Sequence, residues 1–345
     1  MARYDDFVSQ NVAPPEAKRI GIYRANGSRV GTIQLGNLAF PDVGQKLYSV
    51  GVISDCHLQF DTDNAENSQT DLQNALTFFN GFNDLAFVCV CGDLTQHGTA
   101  DELDAFKTYA DTYCPAKPVY SSTGNHDAWH YWNNLGANIS NHTGRELYYS
   151  VNHGNDVYIF VGNTTDENGA LFTTAELQWL YETLEANRNK RCFVFQHVRP
   201  QDACGNAFGI YNYDIWGGTE QTVFESLLRH YCNVVLFHGH SHLKFDIQAE
   251  YGEGANVDNV FCCHSIHIPS LSAPRDGNST GAASRVELWA ESEGYVVDVY
   301  ENGIHLRGRD FVKGEFLPIA SYWLDTTLQT VAAGTYKDST GTIKT

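Results

Sequence analysis

Five short polar segments each follow an apolar run and bring a carboxylate, an imidazole or an amide oxygen into the loop that comes next. The apolar runs predict β-strands, and open α/β sheets bind their ligands in the loops after the carboxyl ends of strands. Oxygen and nitrogen ligands without a thiolate suit divalent transition metals of intermediate softness. The segments are Asp55-Cys56-His57, Gly92-Asp93, Gly124-Asn125-His126-Asp127, His197 and Gly239-His240-Ser241-His242.

The weight of this evidence lies in the combination of the segments. Asp-x-His and Gly-Asp occur often by chance, and a lone histidine such as His197 is more often a hydrogen-bonded core or loop residue. Gly-Asn-His-Asp and Gly-His-Ser-His are rarer. All five in this order, each after a β-rich apolar run, predict a site for two divalent metal ions.

The elements that must position these side chains alternate from residue 47 onward, as short apolar strands and amphipathic helices, which predicts a layered α/β fold. One helix is predicted at 70–80, and two capping boxes, Thr99 with Glu102 and Thr173 with Glu176, predict two more. Strands are predicted at 47–54, 86–91, 118–122, 157–162, 192–196 and 233–238.

Two Asn-Gly dipeptides predict β-hairpins, because this pair best tolerates the positive φ angles of a tight turn. Asn26-Gly27 lies in a predicted hairpin over 18–35, ahead of the five motifs. Asn302-Gly303 lies in the region after residue 258, where the pattern indicates strands only. The polar tail from Asp325 onward shows little periodicity.

Together the five motifs resemble the signature of the calcineurin-like metallophosphoesterases: Asp-x-His, Gly-Asp, Gly-Asn-His-Asp/Glu, a lone His and Gly-His-x-His. The resemblance covers roughly residues 47–310. It implies a four-layered α/β/β/α sandwich of two mixed sheets, in agreement with the alternation of strands and helices. We therefore predict an N-terminal extension with a β-hairpin at 1–45, a metallophosphoesterase domain at 46–312 and a C-terminal extension at 313–345.

The resemblance also implies how the ligands divide between two metal ions, drawn from Mn, Fe, Zn or Ni. One ion would be held by Asp55, His57 and His242, the other by Asn125, His197 and His240, and both would be bridged by Asp93. The residue types agree with this division. A central carboxylate has two oxygens for ions about 3.5–4 Å apart, and histidines that alternate with Ser241 point to one side of an extended chain.

His126 follows a ligand but is assigned to neither metal. We predict that it protonates the leaving-group alkoxide or stabilises the transition state, and that Asp127 orients its imidazole and raises its pKa. The alternative for Asp127 is a carboxylate that caps its own loop. Four residues with aromatic or imidazole rings follow this motif: Trp129, His130, Tyr131 and Trp132. They either form a rim that stacks on a base or an aryl leaving group, or pack within their loop.

The chain carries 22 basic and 41 acidic residues, a formal net charge of −19. This charge disfavours non-specific nucleic-acid binding, nuclease activity on DNA and contact with an anionic membrane, because these need basic residues. A small phosphate ester is still compatible as partner. Two divalent cations outweigh the Asp55 and Asp93 carboxylates and a bridging hydroxide, which leaves a local charge of about +1.

The sequence thus predicts a binuclear metal-dependent phosphohydrolase in which a metal-bound hydroxide attacks a small phosphodiester or phosphomonoester. The motif ending in Asp127 resembles the cyclic-nucleotide phosphodiesterase and purple-acid-phosphatase-like branches, which favours a phosphodiester. The tyrosine ligand of the purple type is missing, since Gln96 stands at its position. The alternative is a structural or adaptor component of a larger assembly, one that retains the fold and associates through the terminal extensions.

Composition also bears on location. The nine cysteines lack C-x-x-C spacing, lie mostly in apolar runs, and fit a reducing compartment. No apolar run reaches the roughly 18 residues that span a bilayer, and the polar start of the chain lacks the pattern of a signal peptide. We therefore expect a soluble, cytoplasmic protein.

Overall fold

The strands assemble into two six-stranded sheets, and both sheets are mixed. In the first, three parallel strands adjoin three antiparallel ones. In the second, four parallel strands are flanked by one antiparallel strand at each edge. This arrangement confirms the predicted α/β fold with two mixed sheets. The computed structural model describes residues 19–23, 29–34, 43–61, 64–129, 135–164, 172–200, 203, 219–246, 257–258, 263–277, 285–287, 291–328, 336–337 and 343–344.

The first sheet consists, in spatial order, of β16 (Glu315–Asp325), β15 (Gly303–Asp310), β14 (Glu293–Tyr300), β3 (Lys46–Ile53), β4 (Leu85–Cys91) and β5 (Val119–Ser122). The second consists of β10 (Val257–Asp258), β11 (His264–His267), β9 (Val234–His238), β8 (Arg191–Gln196), β7 (Asp156–Val161) and β6 (Tyr148–His153). Three strand pairs are β1 (Arg19–Tyr23) with β2 (Arg29–Gln34), β12 (Arg275–Gly277) with β13 (Arg285–Glu287), and β17 (Tyr336–Lys337) with β18 (Ile343–Lys344). The helices are α1 (Ala65–Gly81), α2 (Ala100–Tyr113), α3 (Asn125–Ala128), α4 (Leu135–Thr143), α5 (Thr174–Ala186) and α6 (Thr219–His230).

Alternation along the strands produces the four layers. Strand side chains point to the two faces of a sheet in turn, so a strand buried on both faces is apolar throughout. In β7, Val157 and Ile159 pack in the cluster that contains the apolar faces of α5 and α6. Tyr158 and Phe160 point the other way, into the cluster between the two sheets. The outer face of the first sheet packs on α1, with Phe79 in that cluster.

The two predicted capping boxes differ in the structure. At α2, Thr99 Oγ1 accepts a hydrogen bond from Glu102 N (3.3 Å), and Glu102 Oε2 accepts one from Thr99 N (3.2 Å), which completes the box. At α5, Thr173 Oγ1 accepts from Glu176 N (3.1 Å). Glu176 Oε1, however, accepts from Gly162 N (3.1 Å). The second box is half formed, because its glutamate ties the helix to the loop after β7.

Both predicted hairpins contain the expected strand pairs. Val299 in β14 pairs with Ile304 in β15 around Asn302-Gly303. Near the N-terminus β1 pairs antiparallel with β2, while the Asn26-Gly27 turn lies outside the described residues. The first sheet continues past residue 312, because β16 pairs with β15 along much of its length. The division of the chain into three parts stays a prediction.

The cysteines and the helices bear on the expected location. Among the described residues, six cysteines are free and buried, and Cys232 is disulfide-bonded. A disulfide does not accord with the reducing compartment expected from the sequence, because disulfides persist in oxidising surroundings. In the described part of the chain, none of the helices combines the length and the apolar character needed to traverse a membrane.

Candidate metal centre

All seven predicted metal ligands follow the carboxyl ends of strands at one end of the sandwich, six of them in loops and Asn125 at the start of α3. In the first sheet the loops follow β3, β4 and β5; in the second they follow β8 and β9. These loops are bonded to each other: Asp55 N donates to Gly92 O (3.1 Å), and Gly239 N donates to His197 O (2.9 Å). The sheet topology therefore brings together residues that are far apart in sequence.

One group of side chains comprises Asp55, His57, Asp93 and His242, all buried, with one ligand atom of each within 4.8 Å of the others. His242 Nε2 lies 3.1 Å from Asp55 Oδ1 and 3.0 Å from His57 Nε2. His57 Nε2 lies 3.7 Å from Asp93 Oδ2. Three of these are the ligands predicted for the first metal, and the fourth is the predicted bridge.

A second group comprises Asp93, His197 and His240, again within 4.8 Å of one another. His197 Nε2 lies 3.0 Å from Asp93 Oδ2. Asn125 lies next to this group, since its neighbour His126 donates its backbone N–H to Asp93 Oδ1 at 2.9 Å. The Asn125 Oδ1 atom is buried and accepts no hydrogen bond from the described residues. Asp93 belongs to both groups, as a bridging carboxylate would.

The backbone is strained at these residues. Non-glycine residues seldom have positive φ, and holding one there costs on the order of 1–3 kcal/mol. Among the described residues five do, and all five are predicted ligands: Asp55 (53°), His57 (44°), Asp93 (46°), His240 (70°) and His242 (61°). Strained backbone of this kind concentrates at functional sites. The coincidence therefore marks the cluster as functional independently of its side-chain chemistry.

The motif glycines allow the close approach of these loops. A Cβ on Gly124 would overlap Asp93 Oδ1, and a Cβ on Gly239 would overlap Ser54 Oγ and Asp55 Oδ2. Any side chain at either position would push a carboxylate out of the cluster. The glycines of Gly-Asn-His-Asp and Gly-His-Ser-His are thus required by packing against the ligands.

Hydrogen bonds set the tautomers of two histidines. His197 Nδ1 donates to Cys91 O (2.7 Å) and His242 Nδ1 donates to Ala273 O (3.1 Å), so the Nε2 atom of each ring faces the cluster. Because His242 Nε2 faces His57 Nε2 at 3.0 Å, a proton or a cation must lie between them. Burial lowers the pKa of both His57 and His242 and so favours neutral imidazoles, the form that binds metal.

The electrostatics of the centre keeps its carboxylates charged. Burial raises the pKa of Asp55, but the charges of His197 and His242 outweigh it and hold that pKa below the usual range. Burial likewise opposes the charge of Asp93, whose pKa is held well below its usual range by His197 and His126. Against the effect of burial, Asp93 and Asp55 raise the pKa of His197 to about 10. Two buried carboxylates therefore draw positive charge into the cluster.

His126 lies beside the ligands but is oriented differently from them. Its ring is 4.7 Å from that of His57, centroid to centroid, in an edge-to-face arrangement. Its Nδ1 donates to the backbone carbonyl of Gln96 at 2.7 Å. That bond leaves Nε2 as the nitrogen that can exchange a proton with a bound molecule. The Gln96 contact has no signal in the sequence, because any residue type supplies a backbone carbonyl.

Asp127 makes the loop-capping contacts that the sequence offered as the alternative for this residue. Its Oδ2 accepts from Leu94 N (3.1 Å) and Gly124 N (2.8 Å), and its Oδ1 accepts from Thr95 N (3.0 Å) and Thr95 Oγ1 (2.8 Å). These four bonds fix the loop after β4 to the start of α3. The Gln96 carbonyl, rather than the Asp127 carboxylate, orients the His126 ring. This corrects the predicted Asp127–imidazole contact in favour of a carboxylate that caps its loops.

Two further histidines form hydrogen bonds in or next to the Gly239–His242 motif. His267 Nε2 hydrogen-bonds to Ser241 Oγ (2.7 Å), between two of the predicted ligands in sequence. His238 Nε2 hydrogen-bonds to Ser265 Oγ on the neighbouring strand (3.0 Å). Sequence spacing does not reveal the first contact, because it depends on the parallel pairing of β9 with β11. His97 instead bonds to Glu102, its Nδ1 lying 3.0 Å from Oε1.

Comparison with known proteins agrees with this geometry. The sequence matches the family described as calcineurin-like phosphoesterase over residues 48–244, more than half of the chain. Purple acid phosphatase PPD1 from yellow lupin (Lupinus luteus) is a similar solved structure, with 14% identity and a TM-score of 0.54 over 82% of this chain and 54% of that one. GAP50, described as the anchor in the inner membrane complex of Plasmodium, is similar with 13% identity and a TM-score of 0.52 over 84% of this chain and 91% of that one.

These structural likenesses show the fold, and this chain spans only about half the length of the lupin protein. No curated protein matches the sequence. The family match, by contrast, extends over all five motifs and both side-chain groups of the centre. The chain therefore belongs to the calcineurin-like phosphoesterase family.

Proposed function

We propose that the chain is a binuclear metal-dependent phosphohydrolase that cleaves a small phosphate ester, with a phosphodiester favoured over a phosphomonoester. The observation that carries the proposal is Asp93, whose carboxylate is shared by two buried groups of oxygen and nitrogen ligands. The preference for a diester is supported by the motif alone, which ends in Asp127 as in the phosphodiesterase-like branches.

The residues fit two divalent cations. Asn125 Oδ1 is buried and accepts no hydrogen bond from the described residues, so it has a lone pair available for a ligand. Asp93 Oδ2 lies between His57 Nε2 (3.7 Å) and His197 Nε2 (3.0 Å), one from each group. Asp55, His57 and His242 would hold one ion, Asn125, His197 and His240 the other, with Asp93 between them. When bound, the cations would supply an activated water as nucleophile and positive charge for the phosphoryl oxygens.

The protein's own groups complete the reaction. Hydrolysis forms a P–O bond to the water oxygen, breaks the P–O bond to the leaving group, and requires a proton on the leaving oxygen. We assign that proton to Nε2 of the doubly protonated His126 ring, whose Nδ1–H donates to the Gln96 carbonyl and fixes the ring. The neutral imidazole that remains takes up a proton from water before the next turnover. Asp127 keeps the two loops that carry Asp93 and Asn125 in register.

Metal analysis coupled to a hydrolysis panel tests the proposal. The full chain, supplemented with Mn, Fe, Zn or Ni, should retain about two metal ions and cleave an aryl diester faster than an aryl monoester or a cyclic nucleotide. Asp93→Asn should lose metal and activity together, whereas Asp84→Asn, an exposed carboxylate in the turn before β4, should change neither. A chain that retains no metal under generous supplementation contradicts the proposal.

A structural component of an assembly is the second candidate. Its support is the likeness to GAP50, which is described as an anchor. The full set of predicted ligands counts against a purely structural role, since a scaffold does not need them. Sedimentation of the full chain over a range of concentrations distinguishes the two. Self-association that persists in Asp93→Asn, without ester hydrolysis by the wild type, favours the structural role.

A further inference from the structure

Two exposed aromatic side chains lie in the loops that carry the candidate centre. Phe60 is 50% exposed and Trp129 is 53% exposed, and the other large exposed hydrophobics of the described residues are aliphatic. Phe60 follows the Asp55–His57 segment after β3, and Trp129 follows α3 directly. Exposing an aromatic ring to water is unfavourable, so two of them beside a buried polar cluster suggest a ligand surface.

Trp129 adjoins the group assigned to the leaving oxygen. Its ring centroid lies 5.3 Å from that of His126, at an interplanar angle of 74°. Its backbone N–H donates to His126 O at 3.3 Å, so the two residues form one turn of chain. The same indole lies 6.3 Å from the ring of His97. A group leaving toward His126 would therefore meet the indole next.

Phe60 reaches the same region through the loop after β4. Gln96 N donates to Leu58 O at 3.1 Å, which places the loops after β3 and β4 side by side. Asp61, the residue after Phe60, has its Oδ1 3.9 Å from His97 Nδ1. The His97 ring is fixed by Glu102, with Nδ1 and Oε1 3.0 Å apart. Phe60 thus directly precedes a carboxylate that faces the fixed His97 imidazole, and the Trp129 ring lies 6.3 Å from the same imidazole.

The negative charge near His97 restricts which leaving groups this region can accept. The Asp61 side chain is 70% exposed, so this rim carries a carboxylate where the leaving group would rest. Further phosphate or carboxylate groups on that side of the ester would be repelled. A neutral planar group would stack on the aromatic rings without that repulsion.

We propose that Phe60 and Trp129 bind a planar, uncharged leaving group, an aryl alcohol or a nucleoside, of the ester cleaved at this centre. The proposal rests on the proposed function for the position of the phosphoryl group. It makes Trp129 a specificity residue that distinguishes aromatic from alkyl esters and leaves metal binding to the seven predicted ligands.

Binding of phosphonates to the metal-loaded full chain tests the proposal without turnover. Phenylphosphonate should bind about tenfold more tightly than methylphosphonate, as measured by titration calorimetry. Trp129→Ala should abolish that preference, Phe60→Ala should reduce it, and Trp129→Phe should retain most of it because an aromatic face remains. Leu47→Ala is the matched control, since Leu47 is 52% exposed at the opposite end of β3.

Two results would overturn the proposal: equal affinity of the wild type for the two phosphonates, or an equal loss of both in Trp129→Ala with normal metal content. Hydrolysis of phenyl phosphate and methyl phosphate then separates this proposal from the proposed function. The rate of each variant is compared with that of the wild type on the same ester. A Trp129-dependent phenyl preference without hydrolysis of any ester supports the aromatic site and rejects the hydrolase. If the wild type hydrolyses esters and Trp129→Ala slows phenyl phosphate no more than methyl phosphate, the hydrolase is supported and the aromatic site is rejected.

Discussion

At the scale of single residues, the candidate ligands combine two features that destabilise the fold, buried negative charge and strained backbone. A bound cation would offset both. Asp55 and Asp93 are carboxylates in a buried site, and both have left-handed backbone. Neither feature stabilises the fold without a positive partner. Binding of cations to the folded chain alone would shift the folding equilibrium toward it. The cluster is therefore better explained as a binding site than as a structural network.

His126 provides the first residue-scale prediction. His126→Ala should lower kcat by about 10²–10⁴-fold, because proton transfer to the leaving oxygen is lost. Its metal content, measured by inductively coupled plasma mass spectrometry, should stay at the wild-type value, since none of the seven ligands changes. His142→Ala is the control, because His142 is paired with Asp104 on a different helix. Loss of both metals in His126→Ala would show that the role is misassigned.

Asp127 provides the second residue-scale prediction. Asp127→Asn keeps the side-chain shape but turns an amide group toward backbone N–H donors, so at least one donor loses its acceptor. We expect unfolding free energy to fall by about 1–3 kcal/mol and metal affinity to fall with it, in urea denaturation and metal titration respectively. A variant with normal stability and metal affinity but reduced kcat would instead support a role for Asp127 in orienting His126.

Residue types alone predicted the ligand set but not the contacts that orient it. Acidic, imidazole and amide side chains after apolar runs are visible in the sequence. The structure gathers six of these candidates in two groups, with Asn125 beside the second. The hydrogen bonds from His197 to Cys91 O and from His126 to Gln96 O use backbone carbonyls. Every residue type has such a carbonyl, so the sequence cannot predict these bonds. For Asp127 the sequence offered both an imidazole contact and a loop cap and could not choose between them, since the groups that donate to its carboxylate are mostly backbone N–H groups.

At the scale of elements, the buried central strands and the edge strand β5 were predictable, whereas β6 and α6 were not. β4 and β8 are apolar runs because both faces of their sheets are covered. β6 was missed because its side chains alternate between half-buried and exposed at a sheet edge. α6 was missed although Phe224 and Leu228 are buried at helical spacing. Its preceding residues offer no capping signal such as the one at Thr99.

Helix α1 carries an element-scale prediction, because Asp71 is buried and its Oδ2 accepts no hydrogen bond from the described residues. Burial, and then the nearby Asp310, raise the pKa of Asp71 to about 8. The folded chain therefore holds a proton that the unfolded chain releases near pH 4, so stability should fall as pH rises from about 4 to about 8. Asp71→Asn removes the titrating group and should flatten this dependence, with a gain of about 1–3 kcal/mol at pH 8.

Urea denaturation at pH 5 and pH 8 measures the effect of Asp71→Asn. The variant should match the wild type at pH 5, where Asp71 is protonated, and exceed it at pH 8. Asp84→Asn serves as control, because its side chain is 72% exposed and should leave the wild-type pH dependence in place. Equal stability of Asp71→Asn and the wild type at pH 8 would mean that the carboxylate finds a partner when it ionises.

At the scale of the whole molecule, the two sheets are joined at the end opposite the metal centre. Arg191, the first residue of β8, pairs with Asp156 at two points, Nε–Oδ1 3.0 Å and Nη2–Oδ2 2.8 Å. Its Nη1 donates to Tyr300 O in the first sheet at 2.9 Å. Tyr48 OH, also from the first sheet, donates to Asp156 Oδ2 at 2.6 Å. One buried ion pair is thus hydrogen-bonded to both sheets and holds them in register.

Replacement of Arg191 should therefore destabilise the whole sandwich. Arg191→Met leaves the Asp156 carboxylate buried without its counter-charge, and we expect a loss of about 3–5 kcal/mol in unfolding free energy. Arg188→Met is the matched control, because the Arg188–Glu185 pair lies on the surface at 2.7 Å and should contribute less than about 1 kcal/mol. Urea denaturation of both variants gives the comparison.

The double variant Arg191→Met with Asp156→Asn separates the lost ion pair from the buried charge. If the unpaired carboxylate dominates, the double variant should be more stable than Arg191→Met alone, which is a strongly non-additive result. Metal content of the folded variants should be unchanged, because Arg191 begins β8 and His197 follows its last residue, about 20 Å away at roughly 3.3 Å per residue. Additive losses, or a metal-free Arg191→Met, would mean that the junction does not act as argued, and that the two ends of the sandwich depend on each other.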